Sequence, residues 1–106
     1  MEIQLQDVSL DLEFEKYEAK FKALADRKRL QILHLLTKQK SICVCDLSPL
    51  IDMPQSKLSY HLKILLDAGL IVKETRGTWS YYGIDENEIN GILSDKLCCL
   101  FKTDCC

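Results

Sequence analysis

The sequence predicts a mainly α-helical domain with a single β-hairpin, in the order ααααββα. Three observations carry that expectation. Apolar residues recur at three- and four-residue steps through most of the chain, the period of amphipathic helices. Near residue 70 the pattern changes to β-branched and aromatic runs around one short turn. Four Gly and two Pro in 106 residues leave little room for long loops. A chain of this length suits one domain, residues 1–106, and it shows no linker, repeat or low-complexity tract.

Leu10, Phe14, Tyr17, Phe21 and Leu24 make the stripe of the first helix. Asp26 is a good N-cap for the second, which carries Leu30, Leu33 and Leu36, with Ile32 and Leu35 widening its apolar face. The polar stretch Lys38 to Ser41 ends it, and a short third element spans Cys43 to Ile51. Asp52 and Gln55 have the spacing of a capping box, and Pro54 is tolerated in a first helical turn. The helix they start places Leu58, Leu62, Leu65 and Leu66 on one face, and Gly69 stops it as the C′ residue. Leu70-Ile71-Val72 and Trp79-Ser80-Tyr81-Tyr82 then flank Thr75-Arg76-Gly77-Thr78, a hairpin with a basic tip and Trp79 expected in the core. Asp85 and Glu88 repeat the capping-box spacing before a last helix striped with Ile89, Ile92, Leu93, Leu97 and Leu100. The terminal helices, residues 10–24 and 86–101, are expected to join two copies of the chain as a homodimer.

A composition of 47% hydrophobic and 28% charged residues is that of a globular protein. The net charge of −2 gives no overall positive field. The distribution is uneven: residues 1–25 and 83–106 each carry −3, and residues 26–82 carry +4. A basic surface would therefore come from the middle of the chain. No apolar run approaches the roughly 20 residues of a membrane span, and the acidic start has no apolar signal segment. A cytoplasmic protein with no membrane partner is expected.

On the fourth helix, Gln55, Ser56, Ser59, Tyr60 and Lys63 form a polar stripe opposite the leucines, without the acidic residues of an ordinary solvated face. Gln suits adenine edges, Ser reaches several bases or phosphates, and Lys neutralises phosphate. A short helix, a turn and such a helix make a helix-turn-helix, and the hairpin that follows makes it winged. Lys57, Lys63, Lys73, Arg76 and the run Arg27-Lys28-Arg29 lie in the same basic region. Three cations at a helix N-terminus oppose its dipole, which suggests an anion nearby. His61 either caps the polar face or packs beneath it, and His34 in a leucine-rich helix is read as structural.

Six Cys fall in three pairs: Cys43/Cys45, Cys98/Cys99 and Cys105/Cys106. A secreted disulfide framework spreads its Cys along the chain; clustered thiols in a reducing compartment read as soft-metal ligands or redox sensors. A thiol enzyme is not expected, since there is no C-x-x-C, no βαβ pattern and no Gly-rich anion loop beside a Cys.

Leu24-Ala25-Asp26-Arg27-Lys28-Arg29-Leu30, Cys43-Val44-Cys45-Asp46-Leu47, Gln55-Ser56-Lys57-Leu58-Ser59-Tyr60-His61-Leu62 and Gly69-Leu70-Ile71 together resemble the ArsR/SmtB family of bacterial repressors, over roughly residues 14–97. The combination of the Cys43 and Gln55 segments points to the arsenic-responsive branch. The resemblance implies a homodimeric winged helix that sits on the operator of a resistance operon and leaves it when an inducer binds. It puts Gln55, Ser56, Ser59, Tyr60 and His61 on the recognition helix and Arg76-Gly77-Thr78 on the wing, and the charge pattern adds Lys57 and Lys63 as DNA-contact candidates. It also implies trivalent arsenic or antimony as inducer, held by three thiolates, and no obligatory cofactor. No His follows His61, which leaves the last helix without the His/Asp zinc site of some relatives.

In an α-helix residues i and i+2 point about 200° apart, so Cys43 and Cys45 cannot share an ion from one regular helix. Either Cys43 precedes the helix, or the segment is extended; Ser48-Pro49, a good N-cap and N1 pair, favours the extended form. The related three-Cys site has its third Cys where this chain has Ser48, so water, a second subunit or a C-terminal Cys has to complete it. Cys98, Cys99, Cys105 and Cys106 form a rival cluster. The expected sensor uses Cys43 and Cys45, with the C-terminal group as second site or third donor. Alternatives are a repressor for cadmium or lead, and one switched by thiol oxidation.

Overall fold

A computed structural model describes residues 8–92 as α1 (Val8–Leu24), α2 (Arg27–Gln39), β1 (Ile42–Cys43), α3 (Val44–Ile51), α4 (Gln55–Asp67), β2 (Ile71–Arg76), β3 (Trp79–Ile84) and α5 (Glu86–Ile92). The helices and the hairpin stand in the expected order. β1 is an addition: Ile42 and Cys43 pair antiparallel with Tyr82 and Tyr81, so the sheet has three strands in the order β1-β3-β2. Two residues are too few for a visible period, which is why the strand cannot be read from sequence. Together these elements form a winged helix-turn-helix, with α3 and α4 as the helix pair and β2–β3 as the wing.

Local chemistry sets the boundaries. The Asp26 carboxylate accepts from the N–H groups of Lys28 and Arg29 and starts α2. Lys40, at φ 66°, ends it. The capping box expected at Asp52 and Gln55 does not form. Asp52 instead closes α3 in the left-handed region (φ 55°, ψ 56°), with its N–H on the Ser48 carbonyl, and extended Pro54 leads into α4. Nor does a helix begin at Ser48-Pro49: α3 starts five residues before Pro49, which sits inside it. At the far end of α4, the N–H of Leu70 reaches the Leu65 carbonyl and that of Gly69 reaches Leu66, the paired bonds of a Schellman turn with Gly69 at φ 78°. The wing turns through Gly77-Thr78, where Gly77 at φ 65° supplies the conformation a two-residue hairpin needs. Asp85 accepts from the Glu88 N–H, the expected cap of α5.

Ile32, Leu33, Leu36, Leu47, Leu58, Leu62, Leu65, Leu70 and Ile89 are fully buried and form one core where α2, α3, α4 and α5 meet. α1 turns Lys20 and Ala23 towards this core, and its predicted stripe faces away: Leu12 is 58% exposed and Phe21 57%, with Leu10, Phe14 and Tyr17 also open. Trp79 is no core residue either, at 55% exposed on the wing. Leu93, Leu97 and Leu100 of the predicted last stripe lie outside the described residues. No described helix is long and apolar enough to cross a membrane.

Replacing Asp26 by Ala removes two capping bonds, so Asp26→Ala is expected to cost about 1 kcal/mol in urea unfolding. The same backbone bond to Arg29 holds the Asp26 carboxyl below its ordinary range. Its contribution is thus present at neutral pH and lost as pH falls through that range, so the wild-type and Asp26→Ala curves should converge in acid.

Candidate nucleic-acid interface and thiol pair

α4 is amphipathic, and burial of one face decides what the other presents. Leu58, Leu62 and Leu65 go into the core, and Gln55, Ser56, Lys57, Ser59, Tyr60 and Lys63 stand exposed. Tyr60 is 62% exposed, unusual for an aromatic with no apolar cover. From Gln55 to Leu66 there is no acidic side chain. Lys63 pairs with Asp67 at 3.3 Å, but both are largely in solvent, so the pair is worth at most about 0.5 kcal/mol and yields easily to a phosphate. On the wing, the Arg76 guanidinium lies 4.6 Å from the centre of the Tyr81 ring and 3.1 Å from Glu74, and Thr78 in the turn is exposed.

His61 is not part of this exposed stripe. It is 6% exposed, on the side of α4 that meets α2. Arg29 Nη1 lies 3.2 Å from His61 Nδ1, and because a guanidinium only donates, Nδ1 accepts and the ring is neutral. Burial is the main reason its pKa lies below that of a free imidazole, with Arg29 and Lys57 adding to the effect against Asp26. The run Arg27-Lys28-Arg29 is therefore divided. Arg27 and Lys28 are exposed, whereas Arg29 turns inward, where its Nε also donates to the Ala23 carbonyl at 2.8 Å. Arg29 thereby closes the C-terminus of α1 and touches the underside of α4, a role that charge pattern alone does not signal. His34 is half-buried in α2.

Cys43 precedes α3 and Cys45 is its second residue, the first of the two geometries that let both thiols meet. Cys43 is extended (φ −85°, ψ 162°), and its Sγ lies 2.7 Å from that of Cys45. Asp46 joins them: one ligand atom from each of the three lies within 4.8 Å of the others, the candidate ion-holding group among the described residues. Cys43 is buried and Cys45 half-buried. The bond from Cys43, then burial, raises the Cys45 thiol above its ordinary range, so an ion taking it as thiolate must displace a proton. The Ser48 hydroxyl is occupied, donating to the Met53 carbonyl in the turn between α3 and α4. Cys98, Cys99, Cys105 and Cys106 lie outside the described residues.

Two routes lead from this pair towards the exposed stripe and the wing. A groove of about 370 Å³, lined by Cys45, Ser48, Pro49, Asp52, Met53, Pro54 and Gln55, reaches the first residue of α4. The other route is β1, which sets Cys43 opposite Tyr81, the ring on which Arg76 rests.

Neutral His61 packed against Arg29 has a consequence in acid. Its lowered folded pKa means that the unfolded chain takes up a proton first, below about pH 6.5. Stability should begin to fall as pH drops through that value, with a shallower fall in His61→Gln; equal slopes in thermal unfolding would contradict this.

Comparison with known proteins agrees with this geometry. Residues 26–73, from the cap of α2 into the wing, match the family described as bacterial regulatory protein, arsR family. An arsenical resistance operon repressor of Bacillus subtilis is 60% identical over 95 residues, covering 86% of this chain and 90% of that protein. Another of that description, from Escherichia coli, is 44% identical over 62 residues, 58% of this chain and 53% of its own length. A solution structure from Mycobacterium bovis, described as the homodimeric winged helix-turn-helix DNA-binding domain of a possible ArsR-family regulator, superposes with a TM-score of 0.74 at 28% identity, over 85% of this chain and 82% of that one. With a relative so similar over nearly its whole length, the chain belongs to the arsR family of bacterial regulatory proteins.

Proposed function

We propose that this chain is the repressor of an arsenical-resistance operon, acting in the bacterial cytoplasm as a homodimer on operator DNA. Trivalent arsenic or antimony, bound by thiolates, releases it. The observation that carries the reading is the meeting of the Cys43 and Cys45 thiols on the element just before the recognition helix. The 60% identity to a repressor of that description supports it.

In this reading Gln55, Ser56 and Ser59 reach base edges, and Tyr60 packs on sugar or a thymine methyl. Lys57, Lys63 and the wing's Arg76 and Thr78 hold phosphates. His61 supports α4 from beneath. The uncovered stripe of α1 at Leu12, Phe14 and Phe21 meets a second copy, which sets two recognition helices about one helical turn, ~34–36 Å, apart. A soft metalloid suits the two thiolates better than it suits Asp46, so a third soft donor comes from the C-terminal Cys98, Cys99, Cys105 or Cys106, or from the partner copy. Drawing Cys43 and Cys45 to one centre shifts the start of α3 and the β1–β3 pairing together, which disturbs the recognition helix and the wing at once. Binding that favours the released shape by a few kcal/mol is enough to empty the operator.

The test is arsenite titration of the reduced operator complex. Cys43→Ser and Cys45→Ser proteins are expected to bind operator as the wild type does and to remain bound at arsenite concentrations that release it. Normal release from the doubly substituted protein would move the sensor to the C-terminal cluster.

A further inference from the structure

Lysine is among the residues least often found in a core, yet Lys20 is 2% exposed. It lies on the inward side of α1, three residues from Ala23. Its Nζ donates to the Ala68 carbonyl at 2.6 Å and pairs with Glu88 Oε2 at 3.2 Å. One ammonium thus ties three helices: α1 by its own stem, the end of α4 through Ala68, and α5 through Glu88.

The surroundings are shaped for it. The Schellman turn after α4 already occupies the Leu65 and Leu66 carbonyls, and Lys20 takes up the Ala68 carbonyl beyond them. A cation there also faces the negative end of the α4 dipole. Gly69, needed for its positive φ, leaves the space as well: a Cβ at that position would stand 3.0 Å from Nζ. A buried ammonium without such partners would be strongly disfavoured, so the bonds hold the three helices in one arrangement.

We propose that Lys20 is a positioning residue for DNA binding: it fixes the recognition helix against α1 and α5, and through them sets the separation of the two recognition helices in the dimer. The proposal rests on the reading above that α4 contacts operator and α1 joins two copies. It adds that the C-terminal end of α4, opposite the end that begins at Gln55, sets half-site spacing.

The experiment compares wild-type and Lys20→Met dimers on the operator and on a variant with its half-sites two base pairs further apart. Specific binding by the wild type tests the reading itself; only the difference between the two proteins tests Lys20. Lys20→Met should remain dimeric by mass, and its preference for the natural spacing should fall at least about fivefold, because spacing follows the geometry of the paired helices. A protein merely less stable, measured well below its melting point, would bind both DNAs more weakly by the same factor. An unchanged preference in folded Lys20→Met overturns the proposal. If that variant does not fold, Glu88→Gln, which keeps the bond to Ala68, should shift the preference in the same direction by a smaller factor; no shift there overturns it equally.

Discussion

Burial of the leucine face of α4 is the constraint on which the rest depends. Leu58, Leu62 and Leu65 recur at four- and three-residue steps and are fully buried, each contributing about 1.5–3 kcal/mol. With that face fixed, the helical period leaves no choice about the other. Gln55, Ser56, Ser59, Tyr60 and Lys63 must face solvent together, and rotating α4 by one residue would expose leucine and bury lysine. The polar stripe is therefore preorganised: its direction is set by the core before any DNA arrives.

Two inward-turned cations secure the ends of this arrangement. Arg29 closes the end of α1 and meets His61 under α4, and Lys20 of α1 closes the end of α4. Each satisfies carbonyls that a helix C-terminus leaves open. The result is a cross-linked junction of α1, α2 and α4 in which a movement of the terminal helices reaches the recognition helix through hydrogen bonds as well as apolar contact. The thiol pair lies towards the opposite end of α4: Cys45 shares a groove with Gln55, and Cys43 pairs with Tyr81 of the wing strand β3.

What could be read from the residues divides along physical lines. The Asp26 cap, the Gly69 stop, the leucine face of α4 and the polar stripe all follow from local periodicity and capping chemistry, and all are present. Signals that depended on a competing local use went astray. Asp52 has capping-box spacing but closes α3 instead, and Ser48 resembles an N-cap but its hydroxyl serves the turn carbonyl of Met53. Long-range placement was hidden altogether. Nothing in the pattern says that Lys20 and Arg29 turn inward, that Trp79 stays on the surface, or that Ile42 and Cys43 pair with β3. The geometry of the thiol pair lies between these cases: the angular argument leaves two options, Ser48-Pro49 points to the extended one, and the structure takes the other, with Cys43 paired in β1 ahead of the helix.

The central claim is that the outward face of α4 reads operator sequence. Gln55 tests it most directly, since it stands exposed at the start of that face and shares the groove that leads from Cys45. The measurement is the affinity of Gln55→Ala for the operator and for random DNA of equal length at one salt concentration. The account predicts a loss of about 1–3 kcal/mol on the operator and little on random DNA, because base-edge contacts carry discrimination. An equal loss on both, or none on either, would contradict it.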